Sequence, residues 1–273
     1  MTANLRARVK AVLILSGFVV GVVWGQTIQI DPLSVTSLSL KIRRDAAEIG
    51  VATGFVVKKG ERYYLVTNRH VVLGCGQDQN PANVGAWICA NKLAIYHNQL
   101  GRLGSWVWVT EDLYDSDGKP RWFEHPTLNG AADIVALPLA NTGNVQFYPL
   151  DMNLEKADVV ISPGESVSIV GFPFGLAQEG GLPVWKTGTV ASDLDINFRG
   201  KPVFLVDTTS RPGMSGSPVY ALRSGYVHTS KANVIGGGPV TKFLGVYSEQ
   251  MPLAEIGGVW KAGAVAALYD SLP

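Results

Sequence analysis

From Ser34 onward the chain is cut into short runs rich in Val, Ile, Thr, Tyr and Trp, each bounded by Gly, Pro, Asn or Asp. β-branched and aromatic residues suit a pleated, half-buried surface, and the bounding residues suit turns. The runs that read as strands are Ser34–Ile42, Glu48–Lys58, Tyr63–Val72, Lys92–His97, Ser105–Glu111, Asp133–Leu139, Ser166–Val170, Val184–Ala191, Val203–Asp207, Ser217–Ala221 and Phe243–Ser248. Asp115–Gly118 (DSDG) reads as a hairpin turn between the Trp106/Trp108 strand and Arg121–Glu124. Helical spacing is confined to Ile256–Leu272, where Ile256, Val259, Trp260, Ala264 and Ala267 fall near one face. Gly257, Gly258 and Gly263 oppose it, because each glycine costs helix stability. Many closely spaced strands with one terminal helix predict an all-β barrel or sandwich. Ala140–Ala157 has fewer strand features and reads as the connection between two β domains, here residues 26–145 and 146–273.

The stretch ahead of these runs has another character. Arg6, Arg8 and Lys10 precede Ala11–Trp24, which is apolar apart from Ser16, and Gly25 follows. A cationic start, a short apolar run and a small residue at its end describe a secretory signal peptide over residues 1–25. The run is short of the ~20 residues of a membrane span, although an uncut signal anchor remains the other reading. Either way the chain is expected to be exported, periplasmic or extracellular, and membrane-anchored if the leader stays. The whole chain has 23 basic and 22 acidic residues, so removing the leader leaves 20 against 22. So even a balance excludes a strongly basic nucleic-acid binder. In an oxidising compartment Cys75 and Cys89, the two cysteines, can form one disulfide; two free buried thiols are the alternative. Two cysteines are too few for a four-cysteine zinc site, and His97 and His125 form no metal-spaced cluster. No cofactor and no metal is expected. Asp115–Gly118 starts like a calcium loop, but Lys119, Pro120, Arg121 and Trp122 supply no later ligand.

Three motifs carry chemistry. His70 lies in TNRHVV, Asp133 opens ADIVALPL, and Ser215 lies between Gly213 and Gly216 in RPGMSGSPVY. A serine hydroxyl needs a base to take its proton. Neutral imidazole can do so near its ordinary pKa of about 6.5, and a buried carboxylate on its other nitrogen enforces the useful tautomer. Glycine beside the serine permits a tight turn that aims the N–H groups of Gly213 and Ser215 at a developing oxyanion.

With these residues in the order His, Asp, Ser, the chain resembles the chymotrypsin/trypsin superfamily of serine endopeptidases. Within it, the motifs are most similar to bacterial trypsin-like peptidases of the HtrA and glutamyl endopeptidase kinds. Supporting stretches are ATGFVV (Ala52–Val57), GESVSIVGFPFG (Gly164–Gly175), TGTVAS (Thr187–Ser192) and VDTTSRPGMSGSP (Val206–Pro218). The resemblance covers residues 35–270 and implies two six-stranded antiparallel barrels with a C-terminal helix. His70 and Asp133 would come from the first barrel and Ser215 from the second. It also implies a specificity pocket bounded by Thr209, Tyr247 and Ser248. Thr209 replaces the acid of trypsin, so cleavage after Lys or Arg is not expected. Met214 stands where trypsin-type zymogens carry the Asp that pairs with a new N-terminus, so activity should not depend on that switch. No PDZ domain is expected after the terminal helix.

The function these residues imply is an exported serine endopeptidase, monomeric, acting on protein or peptide substrates. A protease-like binding protein without catalysis and an acyl hydrolase of other esters are the competing classes. Trp87, Trp106, Trp108 and Trp122 serve either packing or an aromatic surface beside the cleft.

Overall fold

Alternate residues of a strand point to opposite faces, and the apolar runs here are continuous because both faces are covered. In the segment Phe55–Val57, Phe55 and Val57 enter one core while Val56 enters another. Tyr64 and Val66 do the same against Leu65 on the next strand. This arrangement is seen in a computed structural model that describes residues 11–12, 19–23, 26–77, 87–102, 104–209, 211–251 and 254–273.

The first sheet is built from β1 (Ser37–Arg44), β2 (Ala47–Lys59), β3 (Arg62–Thr67), β4 (Lys92–Gln99), β5 (Trp106–Asp112), β6 (Phe123–Glu124), β7 (Val135–Pro138) and β8 (Val145–Gln146). All pairs are antiparallel, in the order β5–β4–β1–β2–β3–β7–β6, with β8 added to β4. The second contains β9 (Ser166–Gly171), β10 (Val184–Val190), β11 (Val203–Asp207), β12 (Pro218–His228), β13 (Asn233–Met251) and β14 (Ile256–Lys261). Its pairing runs β9–β10–β11–β14–β13–β12 and returns to β9. The chain is thus all-β with a short C-terminal helix. The first sheet follows an open path instead of a six-strand circuit, and β6 and β8 are strands of two residues.

Leu40, Leu65, Leu93, Ile95, Val135 and Leu137 fill the first sheet, and Val167, Ile169, Phe204, Val206, Met214 and Val259 fill the second. A third cluster joins them: Phe55, Val57, Tyr64 and Val66 meet Val170, Tyr220, Phe243 and Trp260. Helix Ala262–Ser271 seals it with Val265 and Leu268.

Several local expectations change. The Tyr63–Val72 strand ends at Thr67, and Arg69–Leu73 forms one helical turn. The helix expected from Ile256 begins at Ala262, because Ile256–Lys261 is hydrogen-bonded on both sides, to β11 and to β13. A two-sided ladder outweighs weak helical spacing interrupted by glycines. The Ser217–Ala221 and Phe243–Ser248 strands lengthen into a long hairpin whose outer part exposes Leu222, Tyr226, Val234 and Ile235. With most side chains wet there, no period-2 pattern announces the extension. The DSDG turn forms, with Gly118 N–H bonded to the Asp115 carbonyl, but Phe123–Glu124 pairs with β7 instead of β5. Ala11–Val12 and Val19–Val23 of the leader pair with Gln26–Ile30 in a separate three-stranded sheet, and the rest of the apolar run lies outside the described residues. Among the described residues no helix is long and apolar enough to cross a membrane.

Candidate active site

His70 is the second residue of the turn Arg69–Leu73, where a backbone N–H has no helical acceptor. Asp133 supplies it. Its Oδ1 accepts the His70 backbone N–H at 2.8 Å, and its Oδ2 lies 2.7 Å from the ring Nδ1. The carboxylate thereby ends the helix and orients the ring together. Asn68, at the N-cap, holds the Asp133 backbone: its side-chain amide donates a hydrogen bond of 2.7 Å to the Asp133 carbonyl. Arg69 fastens the preceding loop through an ion pair of 2.8 Å to Glu124.

The hydroxyl of Ser248, on β13, donates to Asp133 Oδ2 at 2.5 Å, a distance ordinary for a hydroxyl on a carboxylate. Burial pushes the Asp133 carboxyl upward, but the bonds and charge of His70 and the Ser248 hydroxyl outweigh it and leave the pKa lowered. The carboxylate therefore stays ionised. The His70 side chain is 50% exposed.

Ser215 lies on the tight turn leading into β12, and its Oγ donates to the Ser248 carbonyl at 3.3 Å. Gly213 and Gly216 shape that turn at φ of +97° and +85°. Side chains there would also collide with the Phe172 carbonyl and the Thr53 carbonyl respectively. Among the described bonds, the N–H groups of Gly213 and Ser215 have no acceptor. The structure thus joins His70 and Asp133 directly, and joins both to Ser215 through Ser248. The described bonds contain no direct link from Ser215 to His70.

The residues expected to bound a pocket differ in burial. Thr209 is exposed, whereas Tyr247 is buried in the second core with its ring against Gly257. Ser248 is buried and committed to Asp133. No local signal in GVYS marks that bond, because Asp133 lies 115 positions away. Cys75 and Cys89 form a disulfide across the short ladder Cys75–Gln77/Trp87–Cys89, just beyond the His70 helix. Of the tryptophans, Trp122 is buried, while Trp87 and Trp108 are exposed.

The sequence profile of the trypsin-like peptidase domain matches residues 52–228. The chain belongs to this family. This trypsin-like peptidase is accordingly a serine-type peptidase, a hydrolase. Among solved structures, it is similar to the serine endoprotease from Yersinia pestis, at 15% identity and a TM-score of 0.46 over 87% of this chain and 64% of that one. The MamO protease domain from Magnetospirillum magneticum is 14% identical, with a TM-score of 0.47 over 86% and 96%. An HtrA-type protease, AlgW with a tripeptide, is 13% identical, with a TM-score of 0.47 over 87% and 60%. The chain spans less than two thirds of the first and third of these. No curated protein matches the sequence.

Proposed function

We propose that this trypsin-like peptidase is an exported endopeptidase that cleaves peptide bonds through an acyl-enzyme on Ser215. The observation that carries this reading is the hydrogen-bonded chain from His70 through Asp133 and Ser248 to Ser215, beside two unengaged N–H groups.

In this mechanism the Ser215 hydroxyl swings from the Ser248 carbonyl toward His70 Nε2, which takes its proton as Oγ attacks the substrate carbonyl carbon. Such contacts are often long before substrate arrives. The Gly213 and Ser215 N–H groups receive the oxyanion. Collapse breaks the C–N bond, and His70 delivers its proton to the leaving amine. Water then repeats the sequence and frees the carboxylic acid and Ser215. Asp133 holds the ring with Nδ1 protonated and faces the imidazolium with a negative charge. The apolar leader and the Cys75–Cys89 disulfide support export. Because Thr209 carries no charge, the enzyme should not prefer Lys or Arg ahead of the scissile bond.

A fluorophosphonate probe tests the reading on residues 26–273. The wild type should label, Ser215→Ala should not, and equal labelling of both would refute the nucleophile. Peptidase activity should also fall on acidification, since a protonated imidazole accepts no proton; a flat profile down to about pH 5 would remove His70 as the base.

A further inference from the structure

The oxyanion turn is held by its carbonyls. The Pro212 oxygen accepts the Phe174 N–H at 2.6 Å, the Met214 oxygen accepts the Ser217 N–H at 3.0 Å, and the Ser215 oxygen accepts the Thr53 N–H at 2.8 Å. The Gly213 oxygen accepts the Thr53 hydroxyl at 2.7 Å. In a trans peptide the N–H points opposite to the carbonyl of the residue before it, so the bonds to the Pro212 and Met214 oxygens fix the Gly213 and Ser215 N–H groups, and the bond to the Gly213 oxygen fixes the Gly213–Met214 peptide between them. Three of the four anchors are backbone groups. The fourth is the side chain of Thr53, on β2 of the opposite sheet.

That hydroxyl has one rotational setting. Its proton goes to Gly213, and its oxygen accepts the Phe172 N–H at 3.0 Å. Thr53 is fully buried, and its own carbonyl is fixed by the Thr67 hydroxyl at 2.8 Å. Phe172 in turn begins the Phe172–Pro173–Phe174 segment whose last N–H holds Pro212. One hydroxyl therefore ties together both sides of the oxyanion turn. Gly213, in the left-handed region and without a side chain, cannot hold that orientation alone.

We infer that Thr53 is a positioning residue for the oxyanion site: its hydroxyl fixes the Gly213–Met214 peptide that links the two donor peptides, and so sets the orientation of the Gly213 and Ser215 N–H groups relative to each other. This rests on the reading of Ser215 as nucleophile. Thr53 touches neither substrate nor His70, so its removal should act on the transition state and spare substrate binding.

The experiment compares wild type, Thr53→Val and Thr53→Ser, after circular dichroism and Tm show each to be folded. Thr53→Val keeps the shape and removes the hydroxyl. It should lower kcat about 10- to 100-fold, within the range for a disturbed oxyanion donor, with KM changed less than about threefold. Affinity for a peptide aldehyde, whose adduct places an oxyanion in the site, should weaken by the same factor. Binding of uncleaved substrate, measured on the Ser215→Ala background, should not change. The pH profile should keep its shape, and Thr53→Ser should restore kcat to within about threefold. Should the valine variant not fold, Thr53→Cys, with a weaker donor of similar size, provides the same comparison. A folded variant with wild-type kcat, a loss that serine does not rescue, or unchanged aldehyde affinity would overturn the inference while wild-type labelling leaves Ser215 in place. Failure of the wild type to label with fluorophosphonate would instead overturn the nucleophile, and this inference with it.

Discussion

Ser248 carries two bonds in opposite directions, its carbonyl toward Ser215 and its hydroxyl toward Asp133. Removing the hydroxyl takes a charged acceptor's partner from a partly buried site, a loss worth roughly 1.5–3 kcal/mol. Ser248→Ala should therefore lower kcat by about 10-fold or more and leave the fold intact, as steady-state kinetics beside Tm would show. His97 makes a different prediction. It is 2% exposed, its ring meets Phe147 edge-on at 5.4 Å, and burial lowers its pKa to about 4. Above pH 6.5 it is neutral whether folded or not, so it contributes no pH dependence there. Between 6.5 and about 4 the unfolded chain binds a proton that the native state refuses, so stability falls as pH falls. The loss approaches about 3 kcal/mol at the acid end. Urea midpoints measured from pH 7 to 4.5 should decline in wild type and decline less in His97→Phe; parallel curves would contradict this. His70, Asp133 and Ser215 were readable as chemistry because their residue types and flanking glycines are local. Ser248 and His97 were not, since hydroxyl and imidazole acquire these roles only from what surrounds them.

At the scale of elements, the disulfide is the clearest addition to a small helix. Cys75 and Cys89 stand directly opposite on their ladder, separated by Gly74 from the turn that carries His70. Closing a loop of this size stabilises by about 3 kcal/mol in the chain-entropy description. The double variant Cys75→Ser/Cys89→Ser should lose about that much in urea unfolding. Its kcat below the transition should stay near wild type, because Asp133 and Asn68 hold the His70 turn from the other side. A kcat collapse without unfolding would show that the disulfide orients the histidine. The turn itself was hidden in the apolar run YYLVTNRHVV, which reads as one strand. It breaks because the first N–H groups of a helix need acceptors, and a carboxylate 63 positions away provides one. The strands β2, β4, β9, β10 and β11 were visible from composition, since their residues are β-formers flanked by turn residues.

Across the whole molecule, the two sheets share a core. Phe55 of the first sheet is fully buried and meets Phe243 of the second edge-on at 5.7 Å. Further ties cross the same junction, from Ser37 Oγ to the Val170 carbonyl at 3.0 Å and from Trp185 Nε1 to Ser34 Oγ at 2.9 Å. Phe55→Ala should cost about 3–5 kcal/mol through lost burial and a residual cavity. Since the cavity opens between the sheets, both should melt in one earlier transition. Hydrogen exchange followed strand by strand tests this: protection should fall together in β2 and in β13, and a loss confined to the first sheet would refute the shared core.

The strand texture, the succession His70, Asp133, Ser215, and the turn glycines at 213 and 216 are legible in the amino-acid order, because propensity and turn chemistry act over a few residues. Packing of the two sheets set the bond from Ser248 to Asp133, the turn of Tyr247 into the core, and the contact of Thr53 with the Gly213 carbonyl. Those contacts join residues more than 100 positions apart or face choices set by register. A hydrogen bond across such a gap exists only once both sheets have formed and packed.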